Sequence, residues 1–426
     1  MRPAGRPVSR AVIIAVGTEL LTPHKVDTNS LFLTEQLNAA GITVRQKLVV
    51  GDDPDDLVEA LRHGMRSGDL VVVTGGLGPT EDDLTRETVA QLLGLPLAED
   101  KTVLESMRAR FAARRLEMPA INRCQAQVPT GAIVLANPHG TAPGLWIEQG
   151  GTVVVLLPGP PRELRPMFRQ LVVESLADRT DGHRIHRRVM RITGRTESHV
   201  ETMTYPIYSS WRPPGPSIET TILSTLGQVE LHLSTRATAE ADARRVLDVA
   251  TDELAAVLGH DLFSSDGRSL EAVVGQLLRD RGLRLAVAES CTGGLITSRL
   301  TDVPGSSAYL HAGWTVYSDV AKVSLLGVAP RLIREHGAVS ESVAEAMAAG
   351  ARARADVDVG VGVTGIAGPG GGTEDKPVGT VCLALDGPEQ LRRVRRLQLP
   401  GERDRVKFQA SQSALDMVRR VLLRHA

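Results

Sequence analysis

The sequence predicts an α/β protein in which two α/β domains are joined by a small α+β module. Three observations support this fold class. The length of 426 residues suits two or three domains. Apolar runs rich in Val, Ile and Leu alternate with helical patterns near both ends of the chain, which is typical of parallel sheets covered by helices. Around 183–258 the strand candidates alternate polar and apolar residues instead, which indicates a sheet with one solvated face.

The first predicted domain, residues 1–175, begins with the strand AVIIAVG at 11–17. This run is too short for a signal-peptide core and lacks a cleavage-like site, so a strand is the better interpretation. The other elements follow in chain order: a helix at 30–41, a strand at 42–50, a helix at 54–68, a strand at 70–76, the helix DLTRETVAQLLG, a helical segment at 101–117 and a strand at 152–159.

The middle module, residues 176–260, has the predicted order β-α-β-β-α. Its elements are HRIHRRVMRIT, ESHVETMTYPIY, IETTILST, QVELHLST and EADARRVLDVATDELAAVLG. Turn-forming residues at 259–269 mark its end. The last domain, residues 261–426, alternates again between helices and strands: LEAVVGQLLRDRG, RLAVAES, YLHAGWTVYS, SESVAEAMAAGARARA, DVGVGVTG, PVGTVCLAL and DRVKFQASQSALDMVRRVLLRH.

Composition excludes several classes of protein. The formal net charge of −1 gives no overall field that would attract nucleic acid or an acidic membrane. No apolar run approaches the roughly 18 residues of a membrane span. Three widely separated cysteines form neither a disulfide framework nor a metal pattern, so we expect a cytoplasmic protein. The basic runs HRIHRRVMR and LRRVRRLQL fit exposed faces or edge strands, with a nucleic-acid-binding middle module as the alternative.

A glycine-rich loop, VVVTGGLGPTEDDLT at 71–85, is the main signal in the first domain. Its glycines would let the backbone approach a ligand: Gly75, Gly76 and Gly78. Thr80 is expected to open a helix, whose N-terminal N–H groups favour an anion. Asp82 and Asp83 suit a divalent cation held between the protein and phosphates. The alternative is a capping box, in which Asp83 only accepts from backbone N–H groups near Thr80.

Three further loops are candidates for the same ligand site. The stretch 17–30 leaves the first strand with Glu19 and enters a helix after Asn29. NPHGTAPGLW begins at Asn137, and LPGPPREL contains Gly159. Ligands of open parallel sheets bind outside the carboxyl ends of the strands, where these loops are expected. The alternative is that their prolines and glycines only shape turns.

The sharpest motif of the last domain is AESCTGG at 288–294, a strand-to-helix turn with Ser290 as candidate nucleophile. Tyr317 and Lys322 follow in WTVYSDVAKVSLLG, and a desolvated lysine near a tyrosine can act as base for a serine. Cys291 is interpreted as a small buried hydrophobe and Thr292 as a helix N-cap. A second glycine-rich loop, VTGIAGPGGGTEDKPVGT, contains Lys376 and would suit a phosphate-bearing ligand.

These motifs resemble the competence/damage-inducible CinA family along nearly the whole chain. GTELL, DTN, TGGLGPTEDDLT, GTAPG and LPGPPREL are similar to its molybdopterin-binding-like domain. AESCTGG, PGSS, YSDVAK, HGAVSESVA, TGIAGPGGG and KPVGTV are similar to its nicotinamide-nucleotide amidase domain. The middle section resembles the KH-type module between them. The resemblance therefore implies a molybdopterin-binding-like parallel sheet, a KH-type module and an amidase domain.

The resemblance also implies a bifunctional enzyme of pyridine-nucleotide recycling. The last domain would hydrolyse the amide of nicotinamide mononucleotide to nicotinic acid mononucleotide and ammonia without a cofactor, with Ser290 as nucleophile and Tyr317 and Lys322 relaying protons. Its implied substrate-binding residues are Glu289, Cys291, Thr292, Gly293, Gly294, Thr364, Gly365, Gly368 and Lys376. Family members are homodimers, so a homodimer is expected.

The first domain would cleave the pyrophosphate of ADP-ribose with a divalent metal, cobalt or magnesium, and potassium is a further candidate ion. Asp82 and Asp83 would be the metal ligands. The implied substrate-binding residues are Glu19, Asn29, Gly75, Gly76, Gly78, Pro79, Thr80, Asn137 and Gly159. The alternative is a non-catalytic module that binds a pterin or a nucleotide.

Two positions depart from the family pattern. The family commonly has a glycine shortly after GTELL, whereas the run here is Thr22–Pro23–His24. Asp319 stands where asparagine is usual in the motif before Lys322. A carboxylate three residues away favours the ammonium form of the lysine, which would weaken it as a base.

Overall fold

The computed structural model describes residues 6–211 and 217–424. Its contacts divide the chain into two compact units. The first unit extends to His186 and includes Arg236–Arg244, and the second holds Arg187–Thr235 and the chain from Arg245 onward. The boundaries at 175/176 and 260/261 stay predictions. Among the described residues, no helix combines the length and apolar character needed to cross a bilayer.

The first unit alternates strands and helices through most of its length. Its elements, in chain order, are β1 (Arg10–Val16), α1 (Thr28–Ala39), β2 (Thr43–Val50), α2 (Pro54–Ser67), β3 (Leu70–Thr74), α3 (Thr85–Leu93), β4 (Leu97–Glu99), α4 (Lys101–Ala113), β5 (Gln127–Pro129), β6 (Ile133–Leu135), β7 (Gly144–Gln149), β8 (Thr152–Leu157) and α5 (Pro161–Leu171).

The main sheet of this unit has the strand order β2-β1-β3-β8-β7-β6. The first four strands are parallel to one another, whereas β7 and β6 run antiparallel. Adjacent residues of β1 enter different cores, because Ile13 packs with α1 and α5 and Ile14 with α2. Each isoleucine is fully buried, which contributes about 1.5–3 kcal/mol per side chain. The prediction of an α/β domain with a parallel sheet is confirmed, and β7 and β6 extend it.

The middle of the chain forms a four-stranded sheet with two helices. Its elements are β9 (Arg184–Ile192), α6 (Glu197–Tyr208), β10 (Ile218–Thr225), β11 (Gln228–Ala237), α7 (Glu240–Leu258) and β12 (Leu262–Ser264). The strand order is β10-β11-β9-β12. Alternate residues of β11 are buried beneath the helices, including Leu231 and Leu233. The predicted β-α-β-β-α order is confirmed.

The last part of the chain is again α/β. Its elements are α8 (Leu270–Asp280), β13 (Leu285–Glu289), α9 (Leu295–Thr301), β14 (Leu310–Thr315), α10 (Asp319–Leu326), α11 (Pro330–His336), α12 (Glu341–Ala355), β15 (Val359–Gly365), β16 (Thr380–Asp386), β17 (Arg393–Gln398) and α13 (Arg403–Leu423).

Its sheet has the order β14-β13-β15-β16-β17, parallel from β14 to β15 and antiparallel beyond. The basic strand β17 lies at the edge, as the sequence predicts. Helix α12 packs closely on β15 because two strand residues lack side chains. A Cβ atom on Gly360 or Gly362 would lie 2.1 or 2.2 Å from a carbonyl oxygen of α12. Helices α8 and α13 cover the opposite face.

Candidate functional site

The loop after β13 places Ser290 at a tight turn. Ser290 N–H donates to the Val363 carbonyl of the neighbouring strand β15 at 2.9 Å, which fixes the serine at the carboxyl end of the sheet. Gly293 and Gly294 then adopt φ values of 64° and 92°. Because L side chains rarely adopt this backbone region, the two glycines permit the sharp reversal into α9. Ser290 is 7% exposed.

Glu289, the last residue of β13, stabilises this turn through hydrogen bonds to α9. Its fully buried carboxylate accepts hydrogen bonds from Ile296 N, at 3.0 Å, and from Thr297 N and Oγ1, at 2.9 and 2.7 Å. Glu289 thus caps α9, and the prediction of Thr292 as its N-cap is wrong. The capping position is Gly294, and the buried Thr292 hydroxyl has no hydrogen-bond partner within the described residues. Glu289 is absent from the cavity wall described next, and its implied substrate contact stays a prediction.

A cavity of about 250 Å³ opens at this edge of the sheet. It is lined by Ser290, Cys291, Tyr317, Asp319, Lys322, Ala338, Val339, Thr364, Gly365, Ala367 and Arg403. The three residues predicted to carry catalysis therefore line one cavity. They come from the end of β13, the loop before α10 and the first turns of α10.

Lys322 brings a buried amine to this cavity. The residue is 2% exposed, and its Nζ donates to the Tyr317 carbonyl oxygen at 3.3 Å and to Asp319 Oδ1 at 3.5 Å. The Asp319 side chain is 57% exposed, so water screens its attraction for the lysine. The unusual carboxylate at position 319 thus contacts Lys322 only weakly.

Arg403, the first residue of α13, is a functional candidate that the sequence analysis missed. Its guanidinium donates to the Tyr317 hydroxyl oxygen at 3.1 Å and to the Gly368 carbonyl at 2.7 Å. Gly368 therefore serves the site through its carbonyl group and does not line the cavity itself. The sequence feature that could have identified Arg403 is its position just after the turn formers Pro400 and Gly401, at the start of a long helix.

The structure separates the roles of Ser290 and Cys291. Burial raises the pKa of the Cys291 thiol to about 12, and the side chain joins the apolar core beneath the sheet. A thiol with such a pKa is almost entirely protonated at neutral pH and is a poor nucleophile. The interpretation of Cys291 as a buried neighbour of the nucleophile therefore agrees with its surroundings.

The other predicted residues of this domain divide into two groups. Thr364 and Gly365 lie in the cavity wall, although the Thr364 hydroxyl already donates to the Ala338 carbonyl at 2.8 Å. Lys376 lies outside the wall, because its ammonium group donates to the His336 carbonyl at 2.6 Å. The lysine therefore anchors the second glycine-rich loop. Thr292, Gly293 and Gly294 shape the turn without lining the cavity.

In the first unit, three loops meet at the carboxyl ends of β1, β3 and β8. Gly75 has φ 99°, and a Cβ atom there would lie 2.2 Å from the Val16 carbonyl oxygen. The Cβ position of Gly159 is 3.6 Å from the Gly75 Cα atom. Asn29 Nδ2 donates to the Gly159 carbonyl at 2.7 Å, and its Oδ1 is buried without a partner among the described residues. The predicted convergence of the loops at 17–30 and 157–164 on the first glycine-rich loop is confirmed.

Asp83 holds the first glycine-rich loop together. Its carboxylate accepts from Gly78 N at 2.7 Å, Thr80 N at 3.0 Å and Thr80 Oγ1 at 2.5 Å. These contacts match the capping alternative. The expectation that Thr80 opens a helix is wrong, because α3 begins only at Thr85. Pro79 and Thr80 instead belong to the bend that Asp83 closes.

Within the described residues, the side chains around the first glycine-rich loop do not form a cage for a resident metal ion. Across residues 6–211 and 217–424, no cluster of three or more His, Cys, Asp or Glu side chains could hold one. Both Asp83 oxygens already accept from the loop, which leaves the exposed Asp82 as the freer carboxylate. A divalent ion at this loop would therefore need most of its ligands from water and phosphate oxygens.

Two other predicted residues, Asn137 and Glu19, contact the backbone of their own loops. Asn137 Oδ1 accepts from His139 N and Gly140 N, and its Nδ2 donates to Ala142 O and Glu163 Oε2, all at 2.8–3.0 Å. These four bonds use the full capacity of the amide, so Asn137 shapes its turn and offers no group to a ligand. Glu19 is exposed and folds back over the backbone where β1 ends. Gly76 packs against Thr85.

Two segments of the chain match known domain families. The family description "Probable molybdopterin binding domain" matches residues 12–178, and "CinA C-terminal domain" matches residues 267–422. A CinA-like protein of Acidobacterium capsulatum is 47% identical over 417 residues, covering 97% of this chain and 100% of the relative. A CinA-like protein of Koribacter versatilis is 45% identical with the same coverage.

Among solved structures, the protein CinA of Thermoplasma acidophilum is 35% identical and covers 39% of this chain and 97% of its own, with a TM-score of 0.37. The relatives that match over nearly the whole chain show which family it belongs to. The motifs, the two matched domains and the similarity over nearly the whole chain together show that this protein belongs to the CinA family.

Proposed function

We propose that the last domain is an amidase that hydrolyses the carboxamide of nicotinamide mononucleotide to nicotinic acid mononucleotide and ammonia. The observation that supports this function is the shared cavity of Ser290, Tyr317 and Lys322. A serine at a strand-to-helix turn, a buried amine and a phenol are the groups that a serine amidase needs. The raised pKa of the adjacent thiol, about 12, favours the serine over the cysteine as nucleophile.

In this mechanism Ser290 Oγ attacks the amide carbon while Lys322 accepts its proton. The backbone N–H of Cys291, a residue of the cavity wall, would stabilise the oxyanion that forms. Arg403 donates to the Tyr317 oxygen, which leaves the phenol proton free for the departing ammonia. Lys322 then returns its proton to the Tyr317 phenolate, and water hydrolyses the acyl-enzyme with Lys322 again as base and Ser290 as the leaving group. The second Arg403 role is to bind the substrate phosphate at the cavity rim.

The test is ammonia release from nicotinamide mononucleotide by the full chain. Ser290→Ala should lower kcat by about 10⁴-fold, since the nucleophile is lost. The matched control is Ser298→Ala, on the exposed side of α9, which should keep wild-type activity. Added chelator should have no effect on this reaction. Full activity in Ser290→Ala, or in Lys322→Met, would exclude the mechanism.

For the first domain we propose cleavage of the ADP-ribose pyrophosphate at the edge where β1, β3 and β8 end. The loops that carry Gly75 and Gly159 meet at this edge, held by the hydrogen bond from Asn29 to the Gly159 carbonyl, and their backbone N–H groups would contact the diphosphate. A divalent ion, cobalt or magnesium, would enter bound to the diphosphate, with potassium as a second ion. Asp82 is the carboxylate available to it.

The second candidate function is a pterin- or nucleotide-binding module without turnover. It is favoured because Asp83 accepts hydrogen bonds from its own loop and is therefore not available as a metal ligand. Product analysis with ADP-ribose, metal and potassium separates the two functions. Asp82→Asn should reduce AMP formation strongly if the domain is catalytic, whereas Asp83→Asn should lower thermal stability as well. Tight ADP-ribose binding in titration calorimetry without AMP formation would favour the binding module.

The assembly and location are also proposals. We propose a cytoplasmic homodimer that binds small nucleotides and neither membranes nor nucleic acid. Light scattering coupled to size-exclusion chromatography tests the dimer. A nucleic-acid affinity that falls steeply with salt would contradict the last part.

A further inference from the structure

The wall of the Ser290 cavity contains three side chains of charged residue types. Lys322 and Arg403 are basic, and Asp319 is the only acidic residue of the wall among the described residues. The hydrogen bonds of the Arg403 guanidinium go to uncharged oxygen atoms, so no carboxylate neutralises it there. Asp319 is therefore the one group of the wall that would attract a cationic ligand.

The Asp319 carboxylate is largely free to contact a ligand. Its Oδ1 lies 3.5 Å from Lys322 Nζ, which is longer than a usual N–H···O hydrogen bond. Its Oδ2 bonds to no other described residue. The Asp319 side chain is more than half exposed, whereas that of Lys322 is buried. A ligand could therefore approach the carboxylate without breaking a strong contact.

The position of Asp319 in α10 has a structural explanation that must be separated from a ligand contact. Asp319 is the first residue of the helix, where an acidic side chain interacts favourably with the helix dipole. The cap itself comes from Ser318, whose side chain accepts from Ala321 N at 3.1 Å. The helix start therefore does not depend on the Asp319 charge alone, and a substitution there can be read for ligand effects.

The cavity is small enough that every wall residue lies near a bound ring. Its volume of about 250 Å³ corresponds to a sphere roughly 8 Å across, which does not exceed the Debye length of about 8 Å at physiological ionic strength. A ring that fills this space displaces the water between itself and the wall. A charge on the ring then interacts with Asp319 through a medium of lower dielectric constant than water.

The substrate of the proposed amidase has a fixed positive charge. The ring nitrogen of nicotinamide mononucleotide is bonded to the ribose, which makes the ring a pyridinium cation. Its carboxamide must reach Ser290 Oγ for the proposed reaction, so the ring has to enter the cavity. The positive charge of Arg403 in the same wall would oppose this entry, and Asp319 is the wall residue that offsets the repulsion.

We propose that Asp319 is a specificity-determining residue of this cavity, because its carboxylate attracts the pyridinium ring of the substrate. This inference rests on the proposed amidase function and adds a substrate class to it. Amides of cationic rings are preferred over amides of neutral rings of the same shape. The 1,4-dihydro form of nicotinamide mononucleotide is the neutral counterpart, since it has the same carboxamide, ribose and phosphate.

Product analysis with the full chain measures both ligands in one assay. The rate of nicotinic acid mononucleotide formation gives KM for nicotinamide mononucleotide, and its inhibition gives Ki for the dihydro form. Asp319→Asn removes the charge and keeps the size of the side chain. KM should therefore rise by about five- to tenfold, while Ki stays at the wild-type value. An indirect effect through Lys322 would change kcat, and a distorted cavity would raise both KM and Ki.

Two further variants separate charge from structure. Asp319→Glu restores the negative charge on an exposed side chain, so KM should stay near the wild-type value. The matched control is Asp55→Asn, which removes an exposed acidic side chain from the first turn of α2 in the first unit. It reproduces the loss of a charge at a helix start and should leave KM and Ki unchanged.

The outcomes distinguish this inference from the function on which it rests. Equal rises of KM and Ki in Asp319→Asn, or no change in either constant, would overturn the role of Asp319 and leave the amidase function in place. A wild-type chain that forms no nicotinic acid mononucleotide would contradict the amidase function and the role of Asp319 together.

Discussion

Ser290 and Cys291 are neighbours in the chain, yet their surroundings make them chemically different. The pKa of the Cys291 thiol is raised to about 12 by burial. About one such thiol in 10,000 is therefore ionised at pH 8. We expect iodoacetamide at pH 8 to leave Cys291 unmodified and the proposed amidase activity unchanged. Peptide mass spectrometry measures this, with the half-buried Cys124 as internal control. Rapid alkylation of Cys291 in the folded protein would contradict the assigned role.

Arg403 and Tyr317 should affect different kinetic constants. Arg403→Ala removes the proposed charge-assisted contact to the substrate phosphate, so KM for nicotinamide mononucleotide should rise by about 10- to 100-fold. Tyr317→Phe removes the proposed proton donor, so kcat should fall by about 10²-fold with little change in KM. Steady-state kinetics measure both effects. Arg331→Ala, on the exposed side of α11, is the control, and a purely structural Arg403 would show the same kcat and KM with a lower Tm.

At the scale of single elements, the cap of α9 depends on one buried carboxylate. Glu289 accepts three hydrogen bonds, whereas glutamine offers one acceptor oxygen and an amide that repels the helix N–H groups. We expect Glu289→Gln to lower the free energy of unfolding by about 2–3 kcal/mol. Urea denaturation measures the change. Glu345→Gln on the exposed face of α12 should be neutral, and equal stabilities of the two variants would exclude the capping role.

The contact between α12 and β15 depends on glycine. A Cβ atom on Gly362 would lie 2.2 Å from the Ala344 carbonyl oxygen, so the helix must move away from the sheet to accept it. Gly362→Ala should therefore destabilise the fold by about 1–3 kcal/mol. Gly370→Ala is the matched control, since its Cβ position has no neighbour within 4 Å. Thermal unfolding of both variants tests this, and an unchanged Tm in Gly362→Ala would contradict the close packing.

At the scale of the whole molecule, the two proposed activities draw on residues from different units. Ser290, Tyr317 and Lys322 belong to the second unit, whereas Asn29 and Asp82 belong to the first. Ser290→Ala should therefore abolish ammonia release and leave AMP formation from ADP-ribose unchanged. Parallel assays on one preparation measure both reactions. Loss of both activities at unchanged Tm would show that the two reactions are coupled.

The periodicity of the sequence was sufficient for the α/β class, because the runs in β1, β3 and β8 are continuously apolar over buried strands. It was insufficient for β7, where buried residues directly follow the turn formers of GTAPG and look like the end of a loop. In the site, Ser290 and Lys322 could be predicted from motif chemistry. Arg403 could not, since its role depends on α13 returning to the Tyr317 loop. The structural role of Asn137 could not be predicted either, because the sequence alone does not distinguish a residue that contacts a ligand from one that hydrogen-bonds within its own turn.

The cysteine inventory has a practical consequence for spectroscopy. Cys291 and Cys382 are both buried with raised thiol pKa values, whereas Cys124 is half-buried. Replacing Cys124 with serine should therefore leave a chain without a reactive background thiol in the native state. A single engineered cysteine at an exposed site could then carry a maleimide dye. Such a chain would allow fluorescence to follow ligand binding in either unit without removing the thiol beside the nucleophile.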